Sequence, residues 1–194
     1  PFSFREGRNA EAKKLICRLA ADLVDDGDVI YIDSGTTTMH MVPYLLDKQR
    51  LTIVTASVHV INMAVTYTRL NVISTGGTFY APSQAFIGPQ AVECLRRYNV
   101  TKAFLASTGI SIEHGATNTS PLECELKQSL MKKNCPHILL VDDSKFDHAT
   151  LMSYCALKDL EYVVTNKRPS DAYLRYFDEN DVRLIAPTQT IING

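Results

Sequence analysis

The chain has 194 residues, 45% of them hydrophobic, and a formal net charge of −1 from 20 basic and 21 acidic residues. That is enough apolar material to bury one α/β core, while the balanced charge, spread without long blocks, excludes an electrostatic footprint for nucleic acid or an anionic membrane surface. No apolar stretch approaches the ~18 residues of a membrane span and the N-terminal residues lack a secretory pattern, so a single cytoplasmic domain over residues 1–194 is expected.

Ala12, Leu15, Ile16, Leu19, Ala20 and Leu23 recur at the i, i+3, i+4 spacing of an amphipathic helix, which leaves Lys13, Lys14 and Arg18 for its polar face. Asp26-Gly27-Asp28 ends it. The strand pattern Val29–Ile32 then breaks into Asp33-Ser34-Gly35-Thr36-Thr37-Thr38 just before a second helical pattern. A helix N-terminus presents unpaired N–H groups and partial positive charge, so Gly35, for close approach, and three threonine hydroxyls make a compact anion cradle. No lysine sits in this turn and its spacing is not that of a P-loop, so nucleotide hydrolysis is not indicated, whereas a small phosphorylated ligand is. An ordinary capped connection fits the turn taken alone equally well.

Further β-rich runs follow at 51–55, 70–74, 101–105, 137–141, 162–165 and 182–185, many of them separated by helical patterns. Such alternation predicts an α/β fold with a mostly parallel sheet and helices on both faces, whose ligands bind at the carboxyl ends of the strands. Small and polar residues fall at those ends: Thr55-Ala56-Ser57, Gly76-Gly77, Ser107-Thr108-Gly109 and Asp142-Asp143-Ser144-Lys145. Each has an ordinary reading as well. Gly76-Gly77 fits a tight turn needing positive φ, Ser57 fits the N-cap of a helix through Ile61 and Val65, and Lys145 fits a solvated charge, although a lysine at a strand end is well placed for a phosphate. Ser120-Pro121-Leu122-Glu123 reads as helix-start grammar with a capping box, which makes Glu123 structural. His114 to Thr119 reads as a polar, flexible segment that either folds over a site, where it would make a natural switch, or is an ordinary surface loop.

The five cysteines show no C-x-x-C spacing and cannot all pair within one chain, and the five histidines are scattered, so neither a metal nor another cofactor is expected.

Taken in order, these segments resemble the C-terminal effector-sensing domain of the DeoR family of bacterial transcriptional regulators. Asn9 to Lys14 resembles its N-x-x-x-K segment, Asp33-Ser34-Gly35-Thr36-Thr37 its D-x-G-T-T turn, Thr55-Ala56-Ser57 its T-N-S, and Gly76-Gly77 its G-G pair. Lys102-Ala103-Phe104, Gly109-Ile110, Gly115 with Thr117, Glu125-Leu126-Lys127 and Asp142 to Phe146 are similar to its remaining signatures. The resemblance implies a fold akin to ribose-5-phosphate isomerase, glucosamine-6-phosphate deaminase and the CoA transferases. It also implies a phosphorylated sugar or related metabolite as effector, a homodimer or homotetramer, and operator DNA bound only through an N-terminal winged helix-turn-helix absent from these residues. Ala56 departs from the family's asparagine, and Ser107-Thr108 stand where some members have Ala-Asp; both bear on ligand choice.

On this reading Ser34, Gly35, Thr36, Thr37 and Thr38 hold phosphate, Lys145 adds charge, and Asp33, Ser57, Gly77, Ser107 and Asp142 read the sugar, with Gly76, Thr108 and Gly109 on the same rim. The alternative is a sugar-phosphate isomerase of the same fold. It needs a carboxylate base beside the sugar carbon, and the strand end that would supply one reads Ser107-Thr108-Gly109. Sensing is therefore favoured over catalysis.

Overall fold

The computed structural model describes Phe2 and residues 9–188. Seven parallel strands form the central sheet in the order β12-β11-β9-β6-β1-β2-β3. They are β1 (Val29–Ile32), β2 (Thr52–Thr55), β3 (Asn71–Ser74), β6 (Lys102–Leu105), β9 (His137–Leu140), β11 (Tyr162–Val164) and β12 (Arg183–Ile185). Each falls on one of the seven runs predicted from sequence.

Side chains alternate across these strands, and both faces are apolar. Tyr31, Val54, Ala103, Leu105, Leu139 and Val163 enter one core, while Ile30, Ile32, Ile53, Phe104, Ile138 and Val164 enter the other. A parallel sheet covered on both faces requires that pattern. The second core is covered by α1 (Ala10–Ala21), a 3-10 helix at Thr38–Leu45 and α2 (Val58–Val65). The first is covered by α3 (Pro89–Arg97), α4 (Pro121–Met131) and α5 (Asp171–Glu179).

Two smaller sheets complete the fold. β4 (Thr78–Tyr80) and β5 (Ala85–Ile87) form a hairpin. β7 (Gly109–Ser111), β8 (Gly115–Asn118) and β10 (Met152–Cys155) form an antiparallel sheet packed on α4.

Three expectations are corrected. Lys13 is not on the polar face of α1; it is buried, 2% exposed. Residues 115–118 are not a flexible loop but the buried centre strand of the small sheet, because the Thr117 hydroxyl donates to Gly109 O and the Thr117 amide donates to the Ser107 hydroxyl. The helix after the first turn is a 3-10 helix containing Pro43, which has no amide hydrogen to donate. Among the described residues no helix is long and apolar enough to cross a membrane, and all five cysteines are free.

Candidate effector site at the switch point of the sheet

From β1 the chain runs outward through β2 and β3, then returns across β1 to add β6, β9, β11 and β12 on the other side. The loops leaving β1 and β6 therefore diverge to opposite sides and open a crevice at their carboxyl ends, where ligands of open α/β sheets bind. A narrow cavity lies there, lined by Ser34, Gly35, Thr36 and Thr37 from the first turn and by Ala106, Ser107 and Thr108 from the β6 end.

Asp33 organises both loops. Its backbone N–H donates to Phe104 O at 2.9 Å, extending the β1–β6 pairing. One carboxylate oxygen accepts the Ser34 amide at 2.8 Å, and the other accepts the Ala106 amide at 2.9 Å and the Lys127 ammonium at 2.9 Å. Asp33 and Lys127 are 1% and 2% exposed at the side chain, so their charges neutralise one another out of reach of water. Lys127 also donates to Ala106 O at 2.7 Å and Asn118 Oδ1 at 3.3 Å, and lies 4.9 Å from the centre of the Tyr154 ring. All three ammonium hydrogens thus have acceptors within the protein. Lys127 is a strut that ties α4 to both loops.

Gly35 has a steric role. A Cβ there would come within 2.8 Å of Ala106 Cβ, so only glycine lets the two loops touch. Thr38 sits behind the cradle: its hydroxyl donates to Asp33 O at 2.7 Å and starts the 3-10 helix. The turn is tied to α1 as well, where the buried Cys17 thiol donates to Thr37 O at 2.9 Å. Burial pushes that thiol pKa up, which keeps it protonated and able to donate.

Cations and carboxylates meet at the opposite wall. Lys145 lines the cavity from a 3-10 turn at Asp143–Lys145, which Asp142 caps by accepting the Ser144 amide at 2.9 Å. Asp142 therefore aims Lys145 rather than lining the cavity itself. Glu123 also lines it, at 8% exposure, with its amide donating to the Ser120 hydroxyl at 3.3 Å. Beneath the site the Tyr31 phenol pKa is pushed well up, first by burial and then by the negative charges of Asp33 and Glu123.

Ser107 and Thr108 are committed to the small sheet. The Ser107 hydroxyl lies 2.8 Å from Thr117 O, and that of Thr108 lies 3.0 Å from the same oxygen. Four rim residues lie away from the cavity. The Ser57 hydroxyl caps α2 by accepting the Val60 amide. Gly76 and Gly77 adopt φ of 61° and 112°, and a Cβ on Gly77 would lie 2.7 Å from Ile87 O, so this pair lets the hairpin pack closely. Gly109 faces the His148 carbonyl, with which a Cβ would collide.

Sequence reasoning missed Ser83, Ala106, Glu123 and Lys127 as lining residues, and it placed Asn118 and Thr119 only within a segment offered as a cover for a site. One signal was available. Glu123, Lys127 and Leu130 are spaced i, i+4, i+7, which puts two charges on the buried stripe of α4. No local pattern marks Ser83 or Ala106.

The family described as DeoR C terminal sensor domain matches residues 8–167. The HTH-type transcriptional regulator IolR of Bacillus subtilis is 34% identical over 182 residues, covering 94% of this chain and 72% of that protein. The HTH-type transcriptional repressor GlcR of the same organism is 28% identical, covering 97% and 72%. Among solved structures, ribose 5-phosphate isomerase A of Methanocaldococcus jannaschii superposes with a TM-score of 0.52 at 19% identity. That match covers 71% of this chain and 55% of the isomerase, and it establishes a shared fold.

Proposed function

This chain belongs to the DeoR C-terminal sensor domain family, and from that premise we propose that its effector is a phosphorylated sugar or sugar-derived anion seated in the cavity at the ends of β1 and β6. It is the sensor of a transcriptional regulator; its relatives are named as regulators, not enzymes. The observation that carries the effector assignment is the Ser34–Thr37 turn. Its local backbone is fixed by Asp33, its closest approach is permitted by Gly35, and Lys145 faces it across the cavity. Backbone amides and hydroxyls held in this way recognise phosphoryl oxygens without a charged side chain in the turn. Ser107, Thr108, Asn118 and Glu123 then meet the hydroxylated part of the ligand. Of the remaining rim residues, Asp33, Thr38 and Asp142 position the contacts.

The cavity is narrow and opens to solvent between the β1 and β6 loops, so a bound ligand touches both loops at once. A ligand that prefers one arrangement of these loops shifts the domain toward it, and that shift is the signal. We assign operator binding to a separate N-terminal domain of the full regulator, working in the cytoplasm as a homodimer or homotetramer.

The test is a thermal-shift screen of phosphorylated sugars, each beside its unphosphorylated counterpart. A ligand that binds the native state raises Tm by mass action. Stabilisation that requires the phosphoryl group, and that Thr37→Glu abolishes without changing the free domain's circular dichroism, supports the assignment. Equal responses to phosphorylated and unphosphorylated compounds, or an unaffected Thr37→Glu variant, refute it.

A further inference from the structure

Ser83 is 7% exposed and lines the cavity, yet its hydroxyl oxygen is buried and has no hydrogen-bond partner among the described residues. The hydroxyls of Ser107 and Thr108, by contrast, donate within the small sheet. A buried hydroxyl left unmade is costly to folding, which makes it a position where a ligand gains more than water would give.

The backbone around Ser83 is fixed. It ends a 3-10 turn, Ala81–Ser83, at the tip of the β4–β5 hairpin, followed by Gln84 at φ 53°. The hairpin is pinned to the loop after β2 on both sides of Ser57. The Val58 amide donates to Gln84 O at 3.1 Å, and the Phe86 amide donates to Ala56 O at 2.9 Å. Since β2 flanks β1 on the side away from β6, the hairpin reaches the cavity from the side opposite the Ala106–Thr108 loop and α4.

We infer that Ser83 is a specificity-determining contact of the effector, supplying a hydroxyl to an oxygen of the phosphorylated ligand from the hairpin side of the cavity. This rests on the effector site proposed above. The hydroxyl is not needed to hold the fold together, so removing it separates binding from stability. Ser57, Gly76 and Gly77 then act on the ligand through Ser83: they seat the hairpin that carries it.

The experiment titrates inorganic phosphate and ribose 5-phosphate into the wild-type domain, Ser83→Ala and Ser83→Cys, with affinity read by calorimetry and Tm recorded without ligand. Ser83→Ala is expected to lower affinity about tenfold, the worth of one hydrogen bond to a charged acceptor, while its ligand-free Tm equals or exceeds that of the wild type. Ser83→Cys, of similar size but a weaker donor, is expected to fall between. A loss for both probes places the contact on the phosphoryl group, and a loss for ribose 5-phosphate alone places it on the sugar. Wild-type affinity in Ser83→Ala overturns the inference while leaving the cavity assignment intact. A wild-type domain that binds neither probe overturns the cavity assignment and this inference with it.

Discussion

The two ends of the central sheet each carry an acid–lysine cluster, and they are built differently. At the carboxyl end, Asp33 and Lys127 meet at 2.9 Å with side chains 1% and 2% exposed. At the amino end, Lys102 meets Asp25 and Asp28 at 2.7 Å each, with Lys102 16%, Asp28 12% and Asp25 81% exposed. The amino-end cluster latches β6 to the entry of β1. The carboxyl-end pair is wholly desolvated, each charge bridging further polar groups of the loops around it. Water forgives the loss of a partner in the first case and not in the second. An identical pairing chemistry thus serves as a latch at one end and as the frame of a binding site at the other.

The largest effect expected is from breaking the buried pair. Lys127→Met leaves the Asp33 carboxylate uncompensated and should cost about 3–5 kcal/mol in urea denaturation. Adding Asp33→Asn should return part of that loss, because the remaining partner no longer carries charge. If the single variant is as stable as the wild type, the contrast between the two ends is lost.

An intermediate effect is expected at Gly35. Its Cβ would meet Ala106 Cβ at 2.8 Å, so Gly35→Ala should cost about 1–3 kcal/mol by overpacking and weaken phosphate binding with it. Adding Ala106→Gly removes the colliding atom. Recovery of both stability and binding in the double variant would tie the cradle to the β6 loop, whereas recovery of neither would place the defect elsewhere.

The smallest effect belongs to the amino end. Burial disfavours the charged form of Asp28, but hydrogen bonds from Lys102, the Asp25 amide and Thr101 outweigh it, so its carboxyl lies below the ordinary 3.8. A pKa lowered in the folded state contributes stability that is present above the unfolded value and is lost as pH falls through the folded one. Lys102→Ala should therefore cost only about 0.5–1 kcal/mol at pH 7. Its stability should also fall less than that of the wild type between pH 5 and pH 2.

The same contrast explains what could be read from the sequence. The seven strands and the Asp33–Thr38 turn are local: apolar runs ending in small residues announce them. Lys13, Glu123 and Lys127 were harder, because a charged residue on a helix is ordinarily a solvated one. Only Lys127's spacing to Leu130 and Glu123 on the buried stripe betrays it, and its partner Asp33 lies in a distant element. Residues 115–118 read as a loop because Gly115, Thr117 and Asn118 are turn formers; the strand exists through hydrogen bonds to Ser107 and Gly109, which no periodicity encodes. The cradle, Ser107, Thr108 and Lys145 were legible, and Ser83, Glu123 and Lys127 were not.

The central place of β1 also orders events in time. Asp33 must wait for the Ala106 amide, 73 residues further along the chain, an interval of roughly 4–15 s at the usual pace of synthesis. The Lys127 ammonium emerges later still. Strands 1 to 3 can pair early, but the crevice has only one side until β6 arrives, and parallel pairings over such separations are slow to form. Effector recognition is therefore among the last properties the nascent domain acquires, and it vouches for the completed sheet. A variant that folds only in its first half would be silent to metabolite long before it lost its secondary structure.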